Sequence, residues 1–441
     1  MYNWREVIFE NLPLPEDAYI GRHPYYVPEN NDILGIAHHV PSGLMITTVG
    51  RIRVGVPSTL NAFCLADYPN SRSPYLWGFP DYKKNTLKAS FFKGTDFDTP
   101  YDDLVREYPD YYQSYQTEAS IKKSNNEQVY KPIEDFSIIS VYSPVVDSKC
   151  NRLYVVDSGI MQFTSTASLR IQNPAILVFD LPSDGCKRRR FPLLKRLEIP
   201  GHLWKNPLGF IHLTVDQSNS DSCDDTFIYI PNIFDNNLIV CNYKTSEFWS
   251  FTDPTMNPIL SESKMSYKDL FAFTIPMGIM NVALGWPDNR GSRVAYYAPG
   301  SSFGQYITST KILKDPQRSQ KYNPMHFNLI GYRGCDSQSI YQIFDPTTGI
   351  IFFAEIKSAR VRCWNVENAI NSDTQGVIFE SKERDYISDM TLDSDGYLWI
   401  ITNQFPLTFL TDVQLDTREV NSRVFRVNAT DVIRGTVCEP S

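Results

Sequence analysis

The sequence predicts an all-β protein, a six-bladed β-propeller with long inter-strand loops. A turn rich in Asp, Asn and Gly, followed by four to six apolar or aromatic residues, recurs six times along the chain. Most copies have a second apolar run before the turn and a third run after it, which is the pattern of a propeller blade. Aromatic residues make up 13% of the chain, and Tyr and Phe favour strands over helices.

Each blade is predicted from its own copy of this unit. Two short β runs around a turn form a hairpin. The third run and a further extended segment complete the four strands. In chain order, the turns with their following runs lie at 41–48, 147–159, 221–232, 288–300, 345–355 and 393–403. The third runs lie at 59–65, 175–181, 237–243 and 359–365.

The length of the chain requires long connections between these strands. Six blades in 441 residues give about 74 residues each, well above the ~40–45 of a compact propeller repeat. The largest insertion is expected at about 69–132, between the first two blades, with a helix at 101–108. Because the ring closes only when the last blade meets the first, residues 1–441 are predicted to form one domain. The runs at 4–9 and 422–427 are the expected closing pair, which would remove an exposed sheet edge.

Composition excludes several classes of function. Lys and Arg number 42 against 50 Asp and Glu, so the formal net charge is −8. This acidic balance argues against a nucleic-acid partner, because phosphate binding relies on clustered cations. The one basic cluster, at 187–190, is read as a solvated loop. No run approaches the ~20 apolar residues that span a bilayer, so no membrane partner is expected.

Cysteine usage indicates the compartment. The eight cysteines are scattered singly, whereas zinc sites need close ligand pairs, so no metal is expected. An even, scattered set fits disulfide bonds and an extracellular, secreted protein, with a signal peptide absent from this chain and removed. The sequon at Asn428 is a permitted glycosylation site.

Several segments resemble the yellow and major royal jelly protein family of insects. They are GVPSTL (55–60), RLYVVDSG (152–159), TFIYIPN (226–232), IIFFAE (350–355), RCWN (362–365) and YLWIITNQFP (397–406). The resemblance extends from about Trp4 to Cys438 and implies a secreted six-bladed propeller. Members are associated with dopachrome conversion in melanin synthesis, with capture of biogenic amines and with nutrition, so the resemblance does not fix one function.

The resemblance also implies two disulfide bonds. Carried over from four-cysteine relatives, they join Cys150 to Cys223 and Cys363 to Cys438. Cys64 and Cys241 occupy the same place in their third runs, and a buried free thiol is the simpler interpretation for both. Cys186 and Cys335 lie in loops and could pair with each other, although nothing in the sequence decides this.

Ligand-binding residues are expected at the mouth of the central channel, where the innermost strands end. Asp157, Asn232, Glu355 and Asn403 end recurring runs, and each could instead satisfy local backbone groups. In amine-binding relatives the ligand lies beside the motifs matched by Ser388 and by Asn403 to Phe405. An extended backbone would aim Asn403 and Phe405 to the same side, one supplying a hydrogen bond and the other a ring face. A turn that packs Phe405 into the core is the alternative.

Two functions follow from these residues. The first is a protein that binds a small aromatic amine or catechol in the central pocket, linked to pigment or biogenic-amine chemistry, without a cofactor. The second is a dopachrome-converting isomerase, whose catalytic residues stay unknown because the sequence shows no clear acid–base pair. Adjacent His38 and His39 face opposite sides of a strand, so at most one is expected to point inward.

Overall fold

The computed structural model describes residues 2–13, 24–69, 72–88, 136–164, 167–217, 222–383 and 385–440. Within these residues the strands, numbered in chain order from β1 (Tyr2–Trp4), form six four-stranded antiparallel sheets and two separate hairpins. Each four-stranded sheet is one blade. The prediction at about 69–132 falls largely on 89–135, and the helix expected at 101–108 falls wholly there; both lie outside the described residues.

The first three blades follow the chain from the N-terminal side. Blade 1 contains β2 (Gly35–His39), β3 (Leu44–Thr48), β4 (Leu60–Cys64) and β5 (Trp77–Gly78). Blade 2 contains β6 (Val141–Asp147), β7 (Arg152–Asp157), β10 (Ala175–Asp180) and β11 (Leu193–Glu198), with a hairpin of β8 (Ile160–Gln162) and β9 (Ser168–Arg170) between its second and third strands. Blade 3 contains β12 (Thr214–Gln217), β13 (Thr226–Asn232), β14 (Asn237–Asn242) and β15 (Glu247–Thr252).

A second hairpin, β16 (Lys264–Tyr267) with β17 (Phe271–Thr274), separates blade 3 from blade 4. Blade 4 contains β18 (Ile279–Pro287), β19 (Arg293–Pro299), β20 (Gly304–Ser309) and β21 (Asn328–Tyr332). Blade 5 contains β22 (Ser339–Asp345), β23 (Ile350–Glu355), β24 (Arg360–Asn365) and β25 (Gln375–Glu380). Blade 6 contains β26 (Tyr386–Leu392), β27 (Tyr397–Asn403), β28 (Ser422–Asn428) and β1.

The first strands of the blades surround the central axis. β2, β6, β12, β18, β22 and β26 contact one another in this order, and β26 contacts β2 again. This closed circle of contacts confirms the predicted six-bladed propeller. Short helices of four to six residues lie in the connections, at Tyr82–Asn85, Gly185–Arg188, Thr310–Leu313, Pro316–Ser319, Phe405–Leu410 and Ala429–Val432.

Alternate residues of a blade strand bury opposite faces of the blade. In β7, Leu153 and Val155 pack into the core shared with blade 1, whereas Tyr154 and Val156 pack into the core shared with blade 3. Successive side chains of a strand point to opposite faces. A strand buried on both faces is therefore continuously apolar, which is why the recurring runs in the sequence do not alternate with polar residues.

The ring closes by pairing of β1 with β28, in the register Tyr2 to Val424 and Trp4 to Ser422. An N-terminal strand does pair with the predicted C-terminal run, but this strand is shorter than the run at 4–9 and lies earlier in the chain. After Trp4 the chain leaves blade 6, and Phe9 bridges to Leu76 beside blade 1. The N-terminal segment thus covers both blades at the point of closure.

Polar side chains join blades 6 and 1 along what we call the closing seam. Five contacts across it define the seam. Two donors reach backbone carbonyls at 2.8 Å, Asn403 Nδ2 that of Ile33 and Ser388 Oγ that of Leu34. Three contacts involve carboxylates: Ser422 Oγ with Asp32 Oδ1 at 2.7 Å, Ile36 N with Asp389 Oδ2 at 3.1 Å, and His38 Nδ1 with Asp393 Oδ2 at 2.8 Å. Each donor and acceptor is buried, and burial of such groups is tolerated when they are hydrogen-bonded.

Three disulfide bonds connect the outer parts of the ring. Cys150–Cys223 joins blades 2 and 3, and Cys363–Cys438 ties the C-terminal segment to blade 5, as the resemblance implies. The third is Cys64–Cys186. The sequence interpretation favoured a free thiol at Cys64 and left a pairing of Cys186 with Cys335 open. The helix Gly185–Arg188 that follows β10 packs against the end of β4, so the two Cα atoms are 5.8 Å apart. Cys241 is a buried free thiol and Cys335 an exposed one.

Candidate functional site

A pocket lies on the propeller axis at the end where the first strands begin. Its volume is about 830 Å³ including the open mouth. Every blade contributes to its wall, in order through Leu34, Tyr142, Ile211, Met280, Tyr341 and Ser388. The connections add further aromatic and aliphatic side chains, Phe234, Phe273, Ile275, Phe405 and Phe409 among them. We call this the central pocket.

The aromatic side of the central pocket is built on the helix Phe405–Leu410. The helix begins because Pro406 lies in its first turn and Asn403 Oδ1 accepts a bond from the Phe405 backbone N–H. The ring of Phe405 stacks on Tyr386 and on Phe409, with centroids 5.8 and 4.8 Å apart. These three stacked rings form one side of the pocket wall.

Ser388, which the resemblance places beside a ligand, lines the central pocket as a polar side chain. It lies where the register between β26 and β27 shifts, so it projects from the strand differently from its neighbours. Its Oγ donates to the Leu34 carbonyl and accepts from Asn403 Nδ2, each at 2.8 Å. A serine oxygen has one donor and two acceptor positions, so a single acceptor position is left for a ligand.

The structure places Asn403 behind Ser388, fully buried, and not in the wall of the central pocket. Its amide donates both to the Ile33 carbonyl and to Ser388. The extended backbone expected between Asn403 and Phe405 is also not found. Gln404 has φ −102° and ψ 20°, a turn that ends β27 and sends the two side chains to different places.

The other predicted strand-end residues serve the backbone around them. Asp157 accepts bonds from the N–H groups of Ile139 and Ser140 at 2.8 and 2.9 Å. Asn232 donates to the Asn206 carbonyl at 2.8 Å. Both are fully buried away from the central pocket, and burial raises the pKa of the Asp157 carboxyl. Their surroundings match the structural alternative considered from the sequence.

Glu355 is likewise engaged, since it pairs with Arg362 at 2.6 Å. Its carboxylate also accepts a bond from the Ser358 hydroxyl at 2.5 Å. Among the described residues that line the central pocket, none carries a formal charge. The surface of the pocket therefore consists of ring faces, aliphatic groups and hydroxyl groups.

The adjacent histidines lie at the far end of β2 from the central pocket. His38 faces Asp393 in the closing seam, and His39 contacts Ser42 and Asn151 through its two ring nitrogens at 2.8 and 2.9 Å. Neither lines the pocket, which agrees with the expectation that at most one of the two points inward. Both imidazoles are used to join strands.

A different histidine lies next to the residues of the pocket wall. His212 follows the pocket residue Ile211, and its ring packs edge-to-face on Tyr341 with centroids 5.8 Å apart. Its Nδ1 is buried without a hydrogen-bond partner among the described residues, and burial lowers the pKa of the imidazole to about 3. His212 is therefore neutral at physiological pH. His212 lies just before the first strand of blade 3, and the equivalent positions of other blades supply pocket residues. This position was the signal in the sequence that could have pointed to His212.

Two carboxyl groups lie close behind the wall. Asp389, next to Ser388, accepts a bond from Ser143 Oγ at 3.0 Å, and burial raises its pKa well above the ordinary value. Burial also raises the pKa of Asp32 to about 7. Neither lines the central pocket. In the described part of the chain, no group of three or more His, Cys, Asp or Glu side chains could hold a metal ion.

Sequence comparison gives three findings. The family model described as major royal jelly protein matches residues 139–438. "Yellow-related salivary protein SP03" of Phlebotomus perniciosus is 34% identical over 99% of this chain and 93% of its own length. "L-dopachrome tautomerase yellow-f" of Drosophila melanogaster is 29% identical over 94% of this chain and 83% of its own length.

Among solved structures, virginiamycin B lyase from Staphylococcus aureus aligns with a TM-score of 0.40 and 8% identity, covering 84% of this chain and 78% of that one. The described helices include none long and apolar enough to cross a membrane.

The match over residues 139–438 and the 34% identity along nearly the whole chain agree with the segments noted in the sequence. The chain belongs to the yellow and major royal jelly protein family.

Proposed function

We propose that this protein binds a small aromatic amine or catechol in the central pocket. The observation that carries the proposal is the wall itself, which gathers one residue from every blade and stacks Tyr386, Phe405 and Phe409 along one side. A ligand ring placed there would gain offset or edge contacts with these rings. Such a ligand would link the protein to pigment or biogenic-amine chemistry.

The chemistry of the wall favours recognition of the ring over recognition of a charge. No carboxylate lines the pocket among the described residues, so an ammonium group would depend on ring faces, each contributing ~0.5–2 kcal/mol. The remaining acceptor position of Ser388 and the hydroxyls of Tyr142, Tyr341 and Tyr386 suit phenol or amine hydrogens. Catechols and hydroxyindoles present such hydrogens around a flat ring.

Calorimetric titration with dopamine and serotonin tests the proposal. We expect one site per chain and competition between the two compounds. The matched control is Tyr332→Ala, which removes an exposed aromatic side chain far from the wall. Absence of heat with both compounds, or equal weakening by Tyr332→Ala and Phe405→Ala, would contradict binding in the central pocket.

A second function is favoured by His212. A neutral imidazole beside Tyr341 could accept a proton from a ring carbon of dopachrome while a proton is returned to a quinoid oxygen. The reaction is an isomerisation and needs no oxidant. A relative named L-dopachrome tautomerase, similar over 94% of this chain, makes the substrate a natural choice.

Loss of dopachrome absorbance measures this activity. We expect His212→Gln to lower kcat by about 100-fold, the usual contribution of a general acid or base, with a smaller effect on KM. His202→Gln, which changes an exposed histidine, is the control. Equal rates in the two variants would remove His212 from the reaction, and no conversion by the unmodified protein would leave binding as the function.

An extracellular location is proposed with either function. The three disulfide bonds support an oxidising compartment, and relatives of this chain include proteins named as salivary. Asn428, at the end of β28, is proposed to carry a glycan on its amide nitrogen, while its Oδ1 accepts bonds from the N–H groups of Thr430 and Asp431. Mass spectrometry of the protein secreted by insect cells, with Asn428→Gln as control, tests the location and the glycan together.

A further inference from the structure

The hairpin formed by β16 and β17 belongs to no blade. It rises between blades 3 and 4, and its inner face carries Met265, Tyr267 and Phe273. Phe273 lines the central pocket, and Met265 packs into the core beneath it. The opposite face carries exposed Lys264. The hairpin is thus amphipathic, with its apolar face toward the pocket mouth.

The tip of this hairpin is bonded to blade 6. Tyr267 donates its hydroxyl to Gln404 Oε1 at 2.5 Å. Lys268 contacts Asp385 Oδ1 at 2.5 Å and Gln404 Oε1 at 3.1 Å. In a six-membered ring, blades 4 and 5 separate blade 6 from the base of the hairpin. The hairpin therefore crosses part of the mouth to reach these partners.

The partners in blade 6 are fixed independently of the hairpin. Asp385 has no exposed surface and also pairs with Arg423, while Gln404 Nε2 donates to Asp385 at 3.0 Å. Asp385 and Gln404 directly precede Tyr386 and Phe405, two rings of the pocket wall. The contact of Lys268 with Asp385 thus joins the tip of a separate hairpin to the rigid edge of the pocket.

We propose that hairpin β16–β17 is a gate of the central pocket, held closed by the bonds of Lys268 and Tyr267 to Asp385 and Gln404. This inference rests on the proposed function, because a gate matters only where a ligand enters. Opening requires the loss of three polar bonds at the tip and of the apolar contact of Phe273. The rigid first strands of the blades need not move.

Ligand exchange in two matched variants tests the gate. Lys268→Met removes the charged tip contact, and Lys264→Met makes the same chemical change on the exposed face of the same hairpin. Stopped-flow fluorescence with indole and, separately, dopamine gives association and dissociation rates. We expect both rates to rise about tenfold in Lys268→Met, as for loss of one charge-assisted bond, with a smaller change in Kd and no change in Lys264→Met.

Hydrogen exchange gives a readout that needs no ligand. Amides at 264–274 should exchange about tenfold faster in Lys268→Met than in Lys264→Met, while those of β26 and β27 keep their protection. Tyr267→Phe, which removes one hydroxyl, should act in the same direction and serves if Lys268→Met does not fold. Unchanged exchange at 264–274, or equal indole rates in the Lys268→Met and Lys264→Met proteins, would overturn the gate.

The two probes separate the gate from the proposed ligand class. Indole has a flat ring without an amine side chain, so its binding depends on the wall alone. Binding of indole with faster exchange in Lys268→Met, but no binding of dopamine, would support the gate and contradict the amine. Failure of both probes to bind the unmodified protein would contradict the pocket and the gate together.

Discussion

The closing seam and the central pocket use adjacent residues of the same strands in opposite ways. Along the seam, Asp389, Asn403 and Ser422 are buried and their polar atoms bond to one another or to blade 1. In the pocket, Tyr386 and Phe405 present ring surface to open space. Polar residues at the ends of the recurring runs therefore stabilise the ring, and aromatic residues between the runs form the surface available to a ligand.

The largest effect on stability is expected for Trp4→Ala, in the strand β1 that pairs with β28 beside the closing seam. Trp4 is 1% exposed and donates its indole N–H to the Pro74 carbonyl. We expect a loss of about 3–5 kcal/mol in the free energy of unfolding, the usual cost of truncating a buried Trp. Urea unfolding measures it. A loss below about 1 kcal/mol would show that the N-terminal strand is not needed to hold blades 6 and 1 together.

The pH dependence of stability tests how burial in the closing seam affects the Asp32 carboxyl. Burial raises the pKa of its carboxyl to about 7, above the unfolded value near 3.9, so the folded state binds the proton more tightly. The contribution of Asp32 to stability is greatest below about pH 4 and declines as pH rises to about 7, by at most about 4 kcal/mol. Asp32→Asn should remove this decline.

The measurement is the urea midpoint at several pH values between 4 and 8. The difference between the unmodified protein and Asp32→Asn should grow with pH across that window. Asp395→Asn, which changes an exposed carboxyl, controls for net charge. A difference that stays constant with pH would contradict a raised pKa at Asp32.

Asn403→Ala tests whether this seam residue also serves the ligand. The variant leaves the Ile33 carbonyl without its donor, the Phe405 N–H without its acceptor and Ser388 without one partner. We expect a loss of about 1–3 kcal/mol in the free energy of unfolding, the cost of an unsatisfied buried group. Dopamine affinity per folded molecule should change little. A loss of affinity with unchanged stability would return Asn403 to the binding site.

Phe405→Ala is the smallest expected change and acts on the pocket. Its ring is half-buried and stacks on Tyr386 and Phe409, so its loss should weaken dopamine binding by about 1 kcal/mol. Stability should fall by less than the 3–5 kcal/mol of a core Phe. Calorimetry and urea unfolding on the same sample separate the two. A large stability loss with unchanged affinity would make Phe405 a core residue.

The sequence predicted the fold because each blade repeats the same local pattern. Turns and apolar runs depend on residues that are close together in the sequence, so they can be recognised without knowing the three-dimensional structure. The partner of Cys64 could not be found in this way. It depends on where the helix Gly185–Arg188 packs, and Cys186 is 122 residues away in sequence.

The site was only partly predictable for the same reason. Ser388 and Phe405, taken from the resemblance, lie in the pocket wall, but the partner of Asn403 is a carbonyl 370 residues earlier. No local pattern indicates that its amide is already used. His212 was passed over because a lone histidine in a connection has no motif, and its meaning comes only from the position of Tyr341.

The pairing of β1 with β28 also has a consequence for biosynthesis. Tyr2 is among the first described residues to leave the ribosome, and its partner Val424 is among the last. At about 5–20 residues per second, this strand waits roughly 20–80 s for its neighbour. During that time the nascent chain carries an unpaired strand edge, a template for wrong association. Blades 2 and 3, linked by Cys150–Cys223, can assemble long before, so the ring closes around blades already formed.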